Sequence, residues 1–195
     1  TGKAKPMVVV MTNGNPNCQA APGEWSAGQY IPSFYGYQGA KPAATMDESF
    51  PDVMNYVENH YKVAKDKAHR AICGLSMGGG HSFDISRRFP TKFDYIGLFS
   101  AGLHVSTTGD FRNDFYKQLQ GNEEAKTQLA TLFKNKPKLY WIGMGKTDFL
   151  YKSSADLRRY FDEKGYKYTY LETEGGHIWR NWRVYLTEFA QKIFK

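Results

Sequence analysis

The chain has 195 residues, of which 41% are hydrophobic and 16% aromatic, which suits one folded domain and excludes a disordered chain. Its 26 Lys and Arg against 19 Asp and Glu give a formal charge of +7, scattered in short pairs such as Arg87-Arg88 and Arg158-Arg159. That pattern reads as a solvated surface rather than a nucleic-acid face, and no stretch approaches the roughly 20 apolar residues of a membrane helix.

Met7-Val8-Val9-Val10-Met11 is a continuous β-rich run, as expected of a strand covered on both faces. A long stretch follows to about Ala44, rich in Gly, Pro, Asn and aromatics, and loops of that length are often functional. Thr45 or Asp47 can cap a helix that carries Phe50, Val53, Met54, Val57 and Tyr61 at helical spacing. Ala71-Ile72-Cys73-Gly74 reads as a second strand, turning at Leu75-Ser76-Met77 into a helix that reaches Phe89 and stops before Pro90. Tyr95-Ile96-Gly97-Leu98-Phe99 is a third strand, and 104–136 reads as loop plus one or two helices. Leu139-Tyr140-Trp141-Ile142-Gly143 is a fourth strand, Ser154 to Lys164 a helix ending at Gly165, and Tyr166 to Leu171 a fifth strand. A last helix, Trp182 to Phe194, puts Trp182, Tyr185, Leu186, Phe189 and Ile193 on one face. Strands alternating with helices predict an α/β domain over residues 1–195, its mostly parallel sheet covered by helices on both faces.

Gly74-Leu75-Ser76-Met77-Gly78 fits G-x-S-x-G between a strand and a helix, the setting a nucleophile elbow requires. The flanking glycines relieve crowding where strand and helix meet, Ser76 projects from the tip, and the Met77 N–H points toward a developing oxyanion. A serine hydroxyl needs a base. Of the five histidines, His60 and His69 read as surface residues, and His81 sits on the elbow helix where it cannot easily fold back on Ser76. His104 follows the third strand and is a candidate for lining the pocket. His177, in Glu174-Gly175-Gly176-His177, is the best placed base, because its paired glycines allow a loop to reach over the strand ends. Asp148, after the fourth strand, is the expected acid partner, ahead of Asp156 and Glu172. The order Ser76, Asp148, His177 is that of the α/β-hydrolase triad.

Trp25, Tyr30, Phe34, Tyr35 and Tyr37 crowd the early loop, where they either stack on an aromatic acyl group or sugar, with Trp25 and Tyr30 foremost, or pack a small core of their own. Of the two cysteines, Cys73 reads as a buried small hydrophobe; a Cys18–Cys73 bridge is the other option, and the pair does not settle the compartment. Metal clusters, phosphate loops and dinucleotide glycine patterns are absent from the sequence, so no metal or cofactor is expected.

With these residues in place the sequence resembles the feruloyl esterase branch of the esterase-D-like α/β-hydrolases, carbohydrate esterase family one. The resemblance is carried by His69 to Gly80, Phe93-Asp94-Tyr95-Ile96-Gly97, Gly145-Lys146-Thr147-Asp148 and Gly175-Gly176-His177-Ile178-Trp179. It implies hydrolysis of hydroxycinnamoyl esters on arabinoxylan, in a secreted or periplasmic setting, with Ser76 as nucleophile, His177 as base and Asp148 as its partner. Acetyl-xylan hydrolysis, acyl transfer and a noncatalytic polysaccharide-binding module are the competing readings. The resemblance also implies strands before Met7, including one between the Met7 run and the Ala71 strand, and a His-Gly-type loop with the second oxyanion N–H. That portion is expected from residues before Thr1, from a companion chain or from a swapped copy.

Overall fold

The computed structural model describes residues 2–12, 46–105 and 114–195. They fall into two compact units, Val8–Val63 and a larger one made of Thr1–Met7 with Ala64–Lys195.

In the smaller unit, helix α1 (Met46–His60) carries Asp47 and Glu48 in its first turn, where carboxylates complement the exposed N–H groups. At its other end the His60 ring stacks on Tyr56 at 4.0 Å, and His60 Nδ1 lies 2.7 Å from the Tyr56 carbonyl oxygen. The Met7–Met11 run is not a strand. Val8, Val9, Val10 and Met11 instead line an apolar groove with Val53, Tyr56, Val57 and Tyr61. Val9 is 70% and Met11 91% exposed. High β-propensity makes a strand only where a neighbour takes up its N–H and C=O groups, and among the described residues no strand pairs with this run.

The larger unit is a four-stranded parallel sheet in the order β1 (Ala71–Leu75), β2 (Tyr95–Phe99), β3 (Leu139–Gly145), β4 (Thr169–Thr173). Each crossover is helical: α2 (Met77–Arg88), then α3 (Phe115–Gln120) with α4 (Glu123–Lys134), then α5 (Tyr151–Lys164). Helix α6 (Trp179–Ala190) closes the chain and packs on β2 and β3. This is the α/β arrangement the alternating pattern predicts.

Large and small residues alternate across the sheet beneath α6. Trp141 pairs with Gly97 and Phe99 with Gly143. A Cβ on Gly143 would lie 2.6 Å from the Trp141 ring and 2.8 Å from the Tyr185 ring, so glycine is what lets the rings close up. Tyr95, Phe99, Trp141, Tyr185, Phe189 and Ile193 form the resulting core. Tyr140 projects the other way, edge-on to Phe161 of α5 at 5.2 Å and tilted against Phe133 of α4 at 5.5 Å.

Several boundaries differ from expectation. β4 begins at Thr169 rather than Tyr166, and α6 at Trp179 rather than Trp182. Leu186, expected on the inner face, points outward at 54% exposure, because the buried stripe of α6 runs through Asn181, Tyr185 and Phe189, a turn apart, and Leu186 lies one position round from it. Cys73 is exposed rather than buried, because β1 has β2 as its one partner among the described residues and α6 covers the next strands along. Cys18 lies outside the described residues.

Candidate active site

Ser76 sits between β1 and α2 at φ 53°, ψ −117°, a conformation side chains disfavour. Such strain costs on the order of 1–3 kcal/mol and persists only where neighbours enforce it. Here the Ser76 N–H donates to the Phe99 carbonyl at 2.9 Å, and the Ser76 carbonyl accepts from Gly102 at 2.9 Å and Gly80 at 3.2 Å. These bonds fix the tip of the turn from both sides. Met77 is the first residue of α2, so its N–H is among the first-turn amides that a helix leaves without an internal partner.

The glycines of the motif have unequal jobs. A Cβ on Gly74 would fall 2.2 Å from the Gly78 carbonyl oxygen, where strand and helix backbones cross. A Cβ on Gly78 itself would meet nothing within 4 Å, whereas one on Gly79 would lie 2.6 Å from the Ala101 Cβ. Crowding at the elbow therefore acts on Gly74 and Gly79 rather than symmetrically about the serine. Gly74→Ala is expected to lower stability by about 1–3 kcal/mol or more, because the atom it meets is backbone. Gly78→Ala should keep the wild-type denaturation midpoint, and urea titration of both variants checks the contrast.

Asp148 and His177 stand on the loops that follow β3 and β4. The two loops lie directly against each other: Lys146 N–H donates to Thr173 at 2.9 Å and Thr147 N–H to Gly175 at 3.1 Å. A Cβ on Gly145 would lie 2.3 Å from the Gly175 carbonyl oxygen, and Gly175 itself has φ 83°. The paired glycines before His177 thus serve a close approach and a left-handed turn. Asn181 of α6, 2% exposed, donates to the Gly176 carbonyl at 3.0 Å and braces the loop from beneath. Lys146 and Glu174 pair on its outer side.

The three side chains meet. His177 Nε2 is 2.9 Å from Ser76 Oγ, and His177 Nδ1 is 3.0 Å and 3.1 Å from the two carboxylate oxygens of Asp148. An ionised carboxylate only accepts, so Nδ1 carries the ring proton and Nε2 is left to accept from the serine hydroxyl. The Asp148 side chain has 0% exposure and that of His177 18%. Burial pushes the Asp148 carboxyl up, but bonds from His177 and from the Leu150 N–H, 2.9 Å away, outweigh it and hold the group below its ordinary value. The buried Ser100 hydroxyl adds in the same direction, though it makes no direct hydrogen bond of standard geometry.

The rival residues are engaged elsewhere. His69 pairs with Asp66 at 2.8 Å, and His81 is buried along α2. Asp156 pairs with Lys152 at 2.9 Å, and Glu172 accepts from Tyr151 and Tyr170. His104 is half-buried in the loop after β2, two residues past Gly102, which bonds the Ser76 carbonyl. Trp25 and Tyr30 lie outside the described residues. Among the described residues no cluster of His, Cys, Asp and Glu is placed to hold a metal ion, and no helix is long and apolar enough to cross a membrane.

Sequence reasoning missed two neighbours of these three side chains. Phe149 lies 4.7 Å from the His177 ring, centroid to centroid, and one apolar residue in a loop has no periodicity to announce it. Ser100, at φ 44° and wholly buried beside Asp148, likewise carries no motif. Trp182, placed by the sequence on the inner face of the last helix, packs on the core and also meets the His177 ring edge-on at 4.9 Å.

Comparison with known proteins places the chain in an esterase family. A family model described as "Putative esterase" matches residues 2–193. The chain is 29% identical over 198 residues to the endo-1,4-beta-xylanase/feruloyl esterase of Xylanibacter ruminicola, covering 100% of itself and 22% of that protein. It is 25% identical over 164 residues to the acetyl esterase of Caldicellulosiruptor saccharolyticus, covering 74% of itself and 61% of that protein. It thus spans less than two thirds of either relative. Among solved structures, the fluorophosphonate-binding serine hydrolase F of Staphylococcus aureus superposes with a TM-score of 0.68 at 20% identity, over 85% of this chain and 69% of that one.

Proposed function

The chain belongs to this esterase family and has an α/β-hydrolase fold, and from that premise we propose that it is the catalytic domain of a serine carboxylic ester hydrolase acting on feruloyl esters of arabinoxylan. The observation that carries the reading is the unbroken hydrogen-bond chain from Ser76 through His177 to the buried, ionised Asp148.

In the proposed cycle the Ser76 oxygen attacks the ester carbonyl while His177 Nε2 takes the hydroxyl proton. The carbonyl π pair moves onto oxygen, and the oxyanion rests against the Met77 N–H at the start of α2. Collapse of this intermediate expels the alcohol oxygen, which receives the proton from His177, and leaves Ser76 acylated. Water then gives a proton to the same imidazole and attacks the acyl carbon. Breaking the Ser76 ester bond releases the carboxylic acid and returns the proton to serine. Asp148 stays ionised throughout and stabilises the imidazolium formed in each half.

The feruloyl assignment rests on the sequence resemblance and on the feruloyl esterase named in one relative. Trp25, Tyr30 and His104 are the residues proposed to contact the acyl group. A secreted or periplasmic location follows from a cell-wall polysaccharide as substrate. The acetyl esterase named in the other relative supports a second reading, in which the acyl group is small. Comparing kcat/KM for methyl ferulate and methyl acetate decides between them. Preference for ferulate is the expected result, and turnover of the acetyl ester alone contradicts it.

A further inference from the structure

Among the described residues of the larger unit the exposed large apolar side chains are Phe149, Ile178, Trp179, Val184 and Leu186. Three of these stand within two residues of Asp148 or His177: Phe149 at 59% exposure, Ile178 at 41% and Trp179 at 64%. Scattered single apolar residues on a surface need no explanation, but a group that adjoins Asp148 and His177 in the chain, on the loop after β3 and at the start of α6, does.

The three sit differently from the aromatic that braces the imidazole. Trp182 is half-buried, packs on the core beneath α6 and meets the His177 ring from there. Phe149 meets the same ring at 4.7 Å with an interplanar angle of 49°, while keeping more than half its surface open. Trp179 lies edge-on to Trp182 at 5.0 Å and is likewise open. Phe149 thus borders the imidazole directly, Trp179 joins it through Trp182, and Ile178 is the residue that follows His177 in the chain.

The chemistry says which half of an ester meets that rim. The imidazole must give its proton to the departing alcohol oxygen, so that oxygen comes within hydrogen-bond reach of His177 Nε2. The carbonyl oxygen turns instead toward the Met77 amide. Whatever the alcohol carries is therefore laid beside the His177 ring and the side chains bordering it. We propose that Phe149, with Ile178 and Trp179, forms the leaving-group subsite, an aromatic platform that takes the C–H face of the sugar bearing the ester. An aromatic ring offers a broad apolar surface, and the C–H face of a sugar is the part of it that can lie against such a surface without losing its hydroxyl hydrogen bonds to water. This inference deepens the esterase reading and rests on it, but it does not depend on which acyl group is cleaved.

The test uses two ester pairs that differ only in alcohol: methyl ferulate with feruloyl arabinofuranoside, and methyl acetate with acetyl xyloside. The quantity read is the ratio of kcat/KM for the sugar ester to that for the methyl ester within a pair. Phe149→Ala is expected to lower this ratio about tenfold, the scale of one aromatic contact, chiefly through KM. Phe149→Trp should restore it, and Trp179→Ala should lower it by a smaller factor. An unchanged ratio in Phe149→Ala, whether the two rates fall together or not at all, overturns the subsite and leaves Phe149 as packing for the imidazole. Preference between the ferulate and acetate pairs tests the acyl assignment separately, so failure of one leaves the other standing.

Discussion

Replacing Ser76 by Ala is expected to lower kcat by about 10⁵–10⁶-fold while leaving the fold and ligand affinity close to wild type. In the proposed cycle the alanine takes away the one atom that attacks the carbonyl, and among the described residues no other hydroxyl or thiol is bonded to His177 Nε2. Alanine at φ 53° is as strained as serine, so the turn gains nothing by relaxing. The bonds that hold the turn are backbone bonds to Phe99, Gly80 and Gly102, and these survive the change. Steady-state kinetics with a chromogenic ester, together with thermal unfolding of the variant, checks both halves of the statement. Residual turnover within tenfold of wild type contradicts the assignment of the nucleophile.

Asp148→Asn is expected to lower kcat by about 10⁴-fold with the geometry kept. The amide fills the same space, but its NH₂ group can donate to His177 Nδ1. That bond favours the ring tautomer with the proton on Nε2, which then cannot accept from Ser76. Adding Asp148→Asn to Ser76→Ala should cost nothing further, because the three residues act as one device and their losses do not add. The same variant has a signature in acid. The folded-state pKa of Asp148 is depressed, so its ionised form contributes stability above the ordinary carboxylate value, and that contribution is lost as pH falls through the folded value. Between these two values the unfolded chain binds more protons, and stability climbs with pH. Asp148→Asn removes the effect, so its urea midpoint should depend less on pH below about pH 4 than that of wild type.

Much of this site was legible in the sequence because its residues sit where secondary structure changes. Ser76 lies in a strand–turn–helix step, and Asp148 and His177 each follow an apolar strand run; a parallel sheet necessarily gathers such positions at one edge. The glycines around them mark places where two backbones touch, which is why Gly74, Gly145 and Gly175 proved informative and Gly78 did not. What sequence could not supply was context. The Met7–Met11 run has the composition of a buried strand, yet strand formation depends on a neighbour that local pattern cannot reveal. Cys73 misled for the same reason, since its burial depends on what lies beside β1. Phe149 and Ser100 are single residues in irregular segments, visible only once the loops after β2, β3 and β4 are brought together.

The central claim is that Ser76 is the activated nucleophile, and a fluorophosphonate probe tests it most directly. The serine oxygen displaces fluoride from phosphorus, and the adduct can be mapped by mass spectrometry after proteolysis. One stoichiometric adduct on the peptide holding Gly74-Leu75-Ser76-Met77-Gly78, absent from the Ser76→Ala variant, is the result predicted. A folded protein that stays unlabelled, or that carries the phosphonyl group on another residue, contradicts it.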